Sequence, residues 1–305
     1  MASSSLIETF SSELASAAEQ AGQSVVAVHA RHRMSSSGIQ WRKGVVVTAD
    51  HAIRREENIR VLLQPDKSVT ATVAGRDFST DLAVLKLEDQ SGLTVPEFAD
   101  TSALKLANLA LALGRSRRGY LVASMGIIGG LAGEWRTGRG GKLDLHVRLD
   151  LDLYPGFSGG PLVTAQGKVA GLNTHGLSRG RAITIPVATV DRVVDELLAK
   201  GRIARPYLGL AMQPVAIPEA LRSKLKAAGN SGLLVMHVEP GGPADKAGLL
   251  LGDVLTALQE KPIEELETIQ ELLYSAKVGE KVAATAIRGG ALVQLSLMLG
   301  ERPGR

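Results

Sequence analysis

Between Val25 and Pro186 the apolar residues come in short runs that alternate with polar ones. In Ser68 to Val73, Val69, Ala71 and Val73 share one face. The longest such stretch runs from Leu143 to Leu153, where Leu143, Leu145, Val147, Leu149, Leu151 and Leu153 alternate with Asp144, His146, Arg148, Asp150 and Asp152. A period of two is that of a strand with one face in a core. Gly, Asn and Asp turns separate the runs, and no long helical period interrupts them, so the pattern predicts antiparallel barrels. It changes at Thr189. Val190, Val193, Val194, Leu197 and Leu198 then follow the i, i+3, i+4 spacing of an amphipathic helix over 189–200, which Gly201 can end. Near the start, Ser5-Leu6-Ile7-Glu8 reads as a capping box for a short helix that Gly22 can stop.

The expected organisation is a first domain over residues 1–201, a basic linker at 202–206, a second and smaller domain at 207–300, and a tail at 301–305. Two domains agree with 305 residues, since one domain usually takes about 100 to 200. Aromatic residues make up only 3% of the chain, so the cores must be built from Val, Leu, Ile and Ala. The 34 glycines favour tight turns over a helical bundle. Formal charge is +4, with Arg115, Arg117 and Arg118 the densest basic group. No basic stripe with interleaved aromatics appears, which argues against nucleic acid as a partner. Cysteine is absent, which excludes disulfides, thiolate nucleophiles and Cys-ligated metals. No run of about 18 apolar residues occurs, so no membrane-spanning helix is expected.

Candidate chemistry centres on Gly156-Phe157-Ser158-Gly159-Gly160-Pro161. A Ser among glycines can project its hydroxyl while nearby backbone N–H groups converge on one point, and those of Gly156 and Ser158 are assigned to an oxyanion hole. The same residues fit the G-x-S-x-G elbow of α/β-hydrolases, but an elbow Ser opens a helix and precedes its His. Here a strand-like Leu162-Val163 and the hairpin pattern of Lys168 to Asn173 follow instead. A hydroxyl needs an imidazole to take its proton, and the imidazole needs a carboxylate to fix its tautomer. His51 follows the hydrophobic run Val45 to Ala49, and Asp81 stands at the mouth of Leu82 to Lys86. The order His, Asp, Ser is that of chymotrypsin-type enzymes.

On these residues the chain resembles the trypsin-like serine proteases, in particular the HtrA (Deg) family. Thr48-Ala49-x-His51, Asp81-Leu82-Ala83-Val84-Leu85-Lys86 and Gly156-x-Ser158-Gly159-Gly160-Pro161-Leu162 carry the resemblance, with Gly171-Leu172-Asn173-Thr174 and Ile185-Pro186 behind them. It implies a double six-stranded β-barrel with His51, Asp81 and Ser158 as catalytic triad and no metal or other cofactor. Two departures stand out. Phe157 replaces the family's usual Asn or Asp, so the loop must seat a bulky ring, and the Gly-Ser-Gly approach to the histidine strand is reduced to Ser36-Ser37-Gly38. Asp152, six residues before Ser158, matches the offset of the acid in enzymes that prefer Lys or Arg. It equally fits the wet face of its strand. His175 is a second candidate for the specificity pocket.

Residues 207–300 resemble a PDZ domain of the HtrA arrangement, a smaller mixed α/β fold. Tyr207-Leu208-Gly209-Leu210 matches the carboxylate-binding loop, Val238 to Leu249 the turn and short helix, and Gly252-Asp253-Val254-Leu255 the next strand. Such a loop binds a chain-terminal carboxylate through free N–H groups while the peptide adds a strand. Thr268-Ile269-Gln270-Glu271 reads as a capping box for the groove's helix, with Ile269, Leu272 and Leu273 as apolar contacts.

The resemblance implies a serine endopeptidase acting on unfolded or damaged proteins, with the PDZ domain capturing peptide C-termini. The competing expectation is a protease-like scaffold or chaperone that binds polypeptides without cleaving them. The family often forms homotrimers through its N-terminal segment. Residues 1–22 lack a basic leader and apolar run, so the chain as given reads as cytoplasmic, or as periplasmic if a leader has been removed.

Overall fold

The structure is a computed structural model that describes residues 5–32, 34–89, 92–178, 181–225 and 229–302. Residues 303–305 of the expected tail lie outside these. The chain folds as two compact units, residues 1–203 and 204–305.

The first unit holds two closed six-stranded antiparallel barrels, the fold class expected. Strands β1 (Val25–His29), β2 (Ser36–Arg42), β3 (Val45–Ala49), β4 (Ile59–Gln64), β5 (Lys67–Asp77) and β6 (Leu82–Leu87) close in the order β1-β2-β3-β6-β5-β4. Strands β7 (Leu109–Arg115), β8 (Leu121–Ala132), β9 (His146–Asp150), β10 (Pro161–Thr164), β11 (Val169–Thr174) and β12 (Ile183–Pro186) close in the order β9-β12-β11-β10-β7-β8. Helix α1 (Leu6–Gly22) opens on the Ser5 capping box, and α2 (Val187–Lys200) ends at Gly201 with φ 72°.

Strand periodicity explains why β3 and β6 read as unbroken apolar runs. Val46 and Leu85 point into the first barrel, whereas their neighbours Val47 and Val84 point out into the seam between barrels. Both faces are therefore buried. From the second barrel the seam receives Leu111, Leu113, Val163, Leu172 and Ile185, and α2 closes it with Val190, Val193, Val194 and Leu197. Trp41 is fully buried there, its ring centroid 4.4 Å from that of Phe98 and its Nε1–H donating to Asp191 Oδ1 at 2.7 Å.

The run from Leu143 to Leu153 is not one strand. It divides into Lys142–Leu143 and His146–Asp150, because the Asp144 N–H leaves the ladder to donate to Thr189 Oγ1 at 2.9 Å while its carboxylate accepts the Thr189 hydroxyl at 2.7 Å. The two parts serve different cores: Leu143 enters the seam, and Val147, Leu149 and Leu153 fill the second barrel.

The second unit is a mixed fold around one sheet, with strands β13 (Leu210–Ala216), β14 (Ser231–Val238), β15 (Val254–Leu258), β16 (Lys281–Arg288) and β17 (Ala291–Met298) in that order and Lys261–Pro262 pairing with β15. Helices α3 (Glu219–Leu225), α4 (Pro243–Lys246) and α5 (Leu266–Ser275) complete it. The capping box expected at Thr268 does not form. Helix α5 begins three residues earlier, after Glu265, because Leu266, Ile269 and Leu273 at helical spacing all pack on the core.

Replacing Trp41 with Ala should cost roughly 3–5 kcal/mol of the first unit's stability, and Trp41→Phe should cost less, as measured by urea unfolding followed through Trp135 fluorescence.

Candidate active site

Three turns bring the expected residues to the seam. The first is a single 3-10 turn, Asp50–Ala52, that follows β3 and carries His51. Two guanidinium groups hold it. Arg76 Nε donates to Asp50 Oδ1 at 2.6 Å, and Arg31 donates through Nη2 to the His51 carbonyl and through Nε to that of Ala52 at 3.1 Å. Burial pushes the Asp50 carboxyl above its ordinary range, an effect that the hydrogen bond from Arg76 offsets only in part and that nearby Asp81 and Asp77 reinforce. Neither Arg31 nor Arg76 is legible as a site residue from sequence.

The second turn, before β6, sets Asp81 at φ 59°, a left-handed conformation that Asp tolerates better than most residues. Asp81 is fully buried, and its carboxylate accepts four hydrogen-bond contacts from two residues. The His51 backbone N–H reaches Oδ1 at 2.9 Å, and His51 Nδ1 lies 3.0 Å from Oδ1 and 2.8 Å from Oδ2. The Thr174 hydroxyl donates to Oδ2. Since a carboxylate only accepts, Nδ1 carries the imidazole proton and Nε2 keeps a lone pair.

The third turn presents Ser158. The Phe157 N–H donates to the Tyr154 carbonyl at 3.0 Å, and Gly156, with φ 99°, supplies the positive φ such a turn needs after Pro155. A strand follows, not a helix, which removes the hydrolase-elbow alternative. Phe157 turns into the second barrel's interior and meets Tyr154 edge-on at 5.5 Å. The room comes from Gly114, where an added Cβ would sit 2.8 Å from the ring. With the ring seated there, the Gly156 and Ser158 N–H groups make no hydrogen bond among the described residues. They are the two donors assigned to the oxyanion hole.

The segment Thr174-His175-Gly176, at the end of β11, joins these parts. Thr174 binds Asp81, the His175 N–H donates to Ser158 Oγ at 3.4 Å, and Gly176 packs on the His51–Asp81 pair so closely that an added Cβ would overlap the carboxylate and lie 2.7 Å from Nδ1. No hydrogen bond joins Ser158 Oγ to His51 among the described residues. The His175 ring reaches back to the Leu153 carbonyl at 3.0 Å, so its Nε2 is the protonated nitrogen, and it spans from the end of β11 to the loop before Ser158. Asp152 is exposed beside that loop. Sequence reading missed Thr174 and Gly176 as site residues.

In the second unit, β13 is an edge strand with α5 beside it. Leu210, Leu272 and Leu273 are partly buried there, whereas Leu208 and Ile269 belong to the core. The Tyr207 strand pairs with Gly300, and Gly209 follows at φ 73°. The Leu208 and Gly209 carbonyls accept from Ala244 and Glu239, while their N–H groups make no hydrogen bond among the described residues.

Known proteins share this architecture. The model of the trypsin-like peptidase domain matches residues 36–172, and that of the PDZ domain matches 206–299. The serine protease Do-like HtrA of Lactobacillus helveticus is 36% identical over 282 residues, which cover 87% of this chain and 66% of that protein. For the HtrA of Bacillus subtilis (strain 168) the identity is 30% over 286 residues, covering 88% and 64%. The chain thus spans just under two thirds of the length of these relatives. Among solved structures, the serine endoprotease from Yersinia pestis superposes with a TM-score of 0.73 at 26% identity, covering 99% of this chain and 100% of that one. The HtrA-type protease AlgW with a bound tripeptide gives 0.67 at 26%, covering 96% and 98%. Fold and matches together define a trypsin-like peptidase domain followed by a PDZ domain. The chain belongs to the HtrA family of serine proteases.

A buried Nδ1–H held by a carboxylate should give a far-downfield proton resonance. Gly176→Ala should abolish it and Thr174→Val should shift it, as read by one-dimensional proton NMR.

Proposed function

We propose that this chain is a serine endopeptidase that hydrolyses peptide bonds through an acyl-enzyme. In this reading Ser158 attacks the substrate carbonyl, His51 Nε2 takes the hydroxyl proton and returns it to the leaving amine, and Asp81 holds the imidazole in the required tautomer and stabilises its cation. The Gly156 and Ser158 N–H groups receive the developing oxyanion, the contribution expected to be largest. What carries the proposal is the segment 174–176, whose consecutive residues contact the nucleophile's hydroxyl and the imidazole–carboxylate pair. At rest the Ser158 hydroxyl accepts from His175. Rotation about χ1 redirects it toward His51 when substrate enters, in keeping with the looser hydrogen bonds of unliganded active sites.

The PDZ unit in this reading captures substrate C-termini. The free N–H groups of Leu208 and Gly209 take the terminal carboxylate, and the peptide pairs with the open edge of β13, its side chains against Leu210, Leu272 and Leu273. Unfolded chains are the substrate class, since both sites need an extended backbone.

A fluorophosphonate should label the chain covalently, and Ser158→Ala should remove the labelling and at least a thousandfold of casein cleavage without changing the thermal midpoint. Absence of labelling in the unaltered chain would leave the non-cleaving scaffold as the better reading. At the PDZ loop, Gly209→Asp keeps a residue that tolerates positive φ while adding a repelling charge. It should weaken binding of a fluorescent peptide with a free C-terminus more than tenfold, to the level of the same peptide amidated, as measured by anisotropy.

A further inference from the structure

We infer that Ser37, on β2 of the first barrel, is a positioning residue for the oxyanion donors of the second, an inference that rests on the peptidase reading above. Ser37 is fully buried, and every polar atom it has is engaged. Its N–H donates to the Ser158 carbonyl at 3.1 Å, and its carbonyl accepts the Thr48 hydroxyl at 2.6 Å. Its hydroxyl accepts the Arg115 N–H at 2.9 Å and lies 2.8 Å from the Gly156 carbonyl. An amide N–H can only donate and a carbonyl can only accept, so the hydroxyl proton is committed to Gly156.

The peptide geometry of the loop turns this anchoring into aim. A trans peptide is planar, with its N–H opposite its carbonyl, so fixing either end fixes both. The unit from Phe157 to Ser158 is held through the Phe157 carbonyl, which accepts the Gly160 N–H at 2.9 Å, and this directs the Ser158 N–H. The unit from Gly156 to Phe157 is held at both ends, by Ser37 Oγ and by the Tyr154 carbonyl. The Gly156 N–H hangs from the α-carbon at the start of that unit. Two of the three carbonyls between 156 and 158 therefore terminate on Ser37, one through its side chain. Gly114 leaves the space this requires, since an added Cβ there would sit 2.9 Å from Ser37 Oγ.

Removal of the hydroxyl leaves the backbone tie to Ser158 and frees the Gly156 carbonyl. Its effect should fall on the transition state, where donor direction matters, and not on ground-state binding. The neighbouring residue supplies a control: Ser36 is also buried, but its Oγ makes no hydrogen bond among the described residues. With β-casein as substrate, Ser37→Ala should lower kcat about tenfold or more with KM within twofold, and should slow fluorophosphonate labelling by the same factor. Ser36→Ala should leave both rates within twofold of the unaltered chain. Ser37→Cys, which keeps the shape with a weaker donor, should lower kcat in the same direction and covers the case in which the Ala variant does not fold. Ser37 variants that matched Ser36→Ala in kcat and labelling rate would overturn the inference while leaving the peptidase reading intact, whereas an unaltered chain that took no label would remove both.

Discussion

The site depends on one buried carboxylate. Asp81 lies out of reach of solvent, and it is sustained there by three donor groups from two residues: the backbone and ring of His51 and the hydroxyl of Thr174. A charge in that position is costly unless it is hydrogen-bonded, so the arrangement holds only if all the donors arrive together. They come from different barrels, His51 from the end of β3 and Thr174 from the end of β11. Closure of both barrels against a common seam is therefore a condition for the site, not merely its setting.

The seam explains how so few aromatic residues suffice. Strands β3 and β6 bury both faces, one in the barrel and one against the neighbouring barrel and α2, so small branched residues fill two cores at once. Trp41 is the fully buried ring of the interface, with Phe98 against it, and its indole N–H is satisfied by Asp191 on α2. The same helix draws Asp144 out of its strand, so the order of the second barrel and the closure of the seam are linked through Thr189.

Much of this was legible in the sequence because the signals were local. Alternation marked the strands, and motifs such as Gly156 to Pro161 placed their residues on turns that the structure contains. The parts that were not legible are contacts between distant residues. Thr174 lies 93 positions from the carboxylate it binds, and Ser37 lies 119 from the Gly156 carbonyl. Gly176 carries no chemical group at all, and only the atoms packed against it reveal why a side chain is excluded. The long alternating run misled because burial kept its period through a break in the ladder, the two halves simply facing different cores. At α5 a capping pattern at Thr268 lost to the packing of Leu266, since tertiary burial outweighs a cap of about 1 kcal/mol.

Phe157 gives the loop an attachment of a particular kind. A benzyl group in an apolar interior has no proton to gain or lose and no counter-ion for salt to screen, so the grip on the Ser158 turn is indifferent to acidity and ionic strength. Its strength instead follows the thermodynamics of apolar hydration, which weaken on cooling. The turn is thus tied to temperature, where a polar side chain at position 157 would have tied it to the ionic medium.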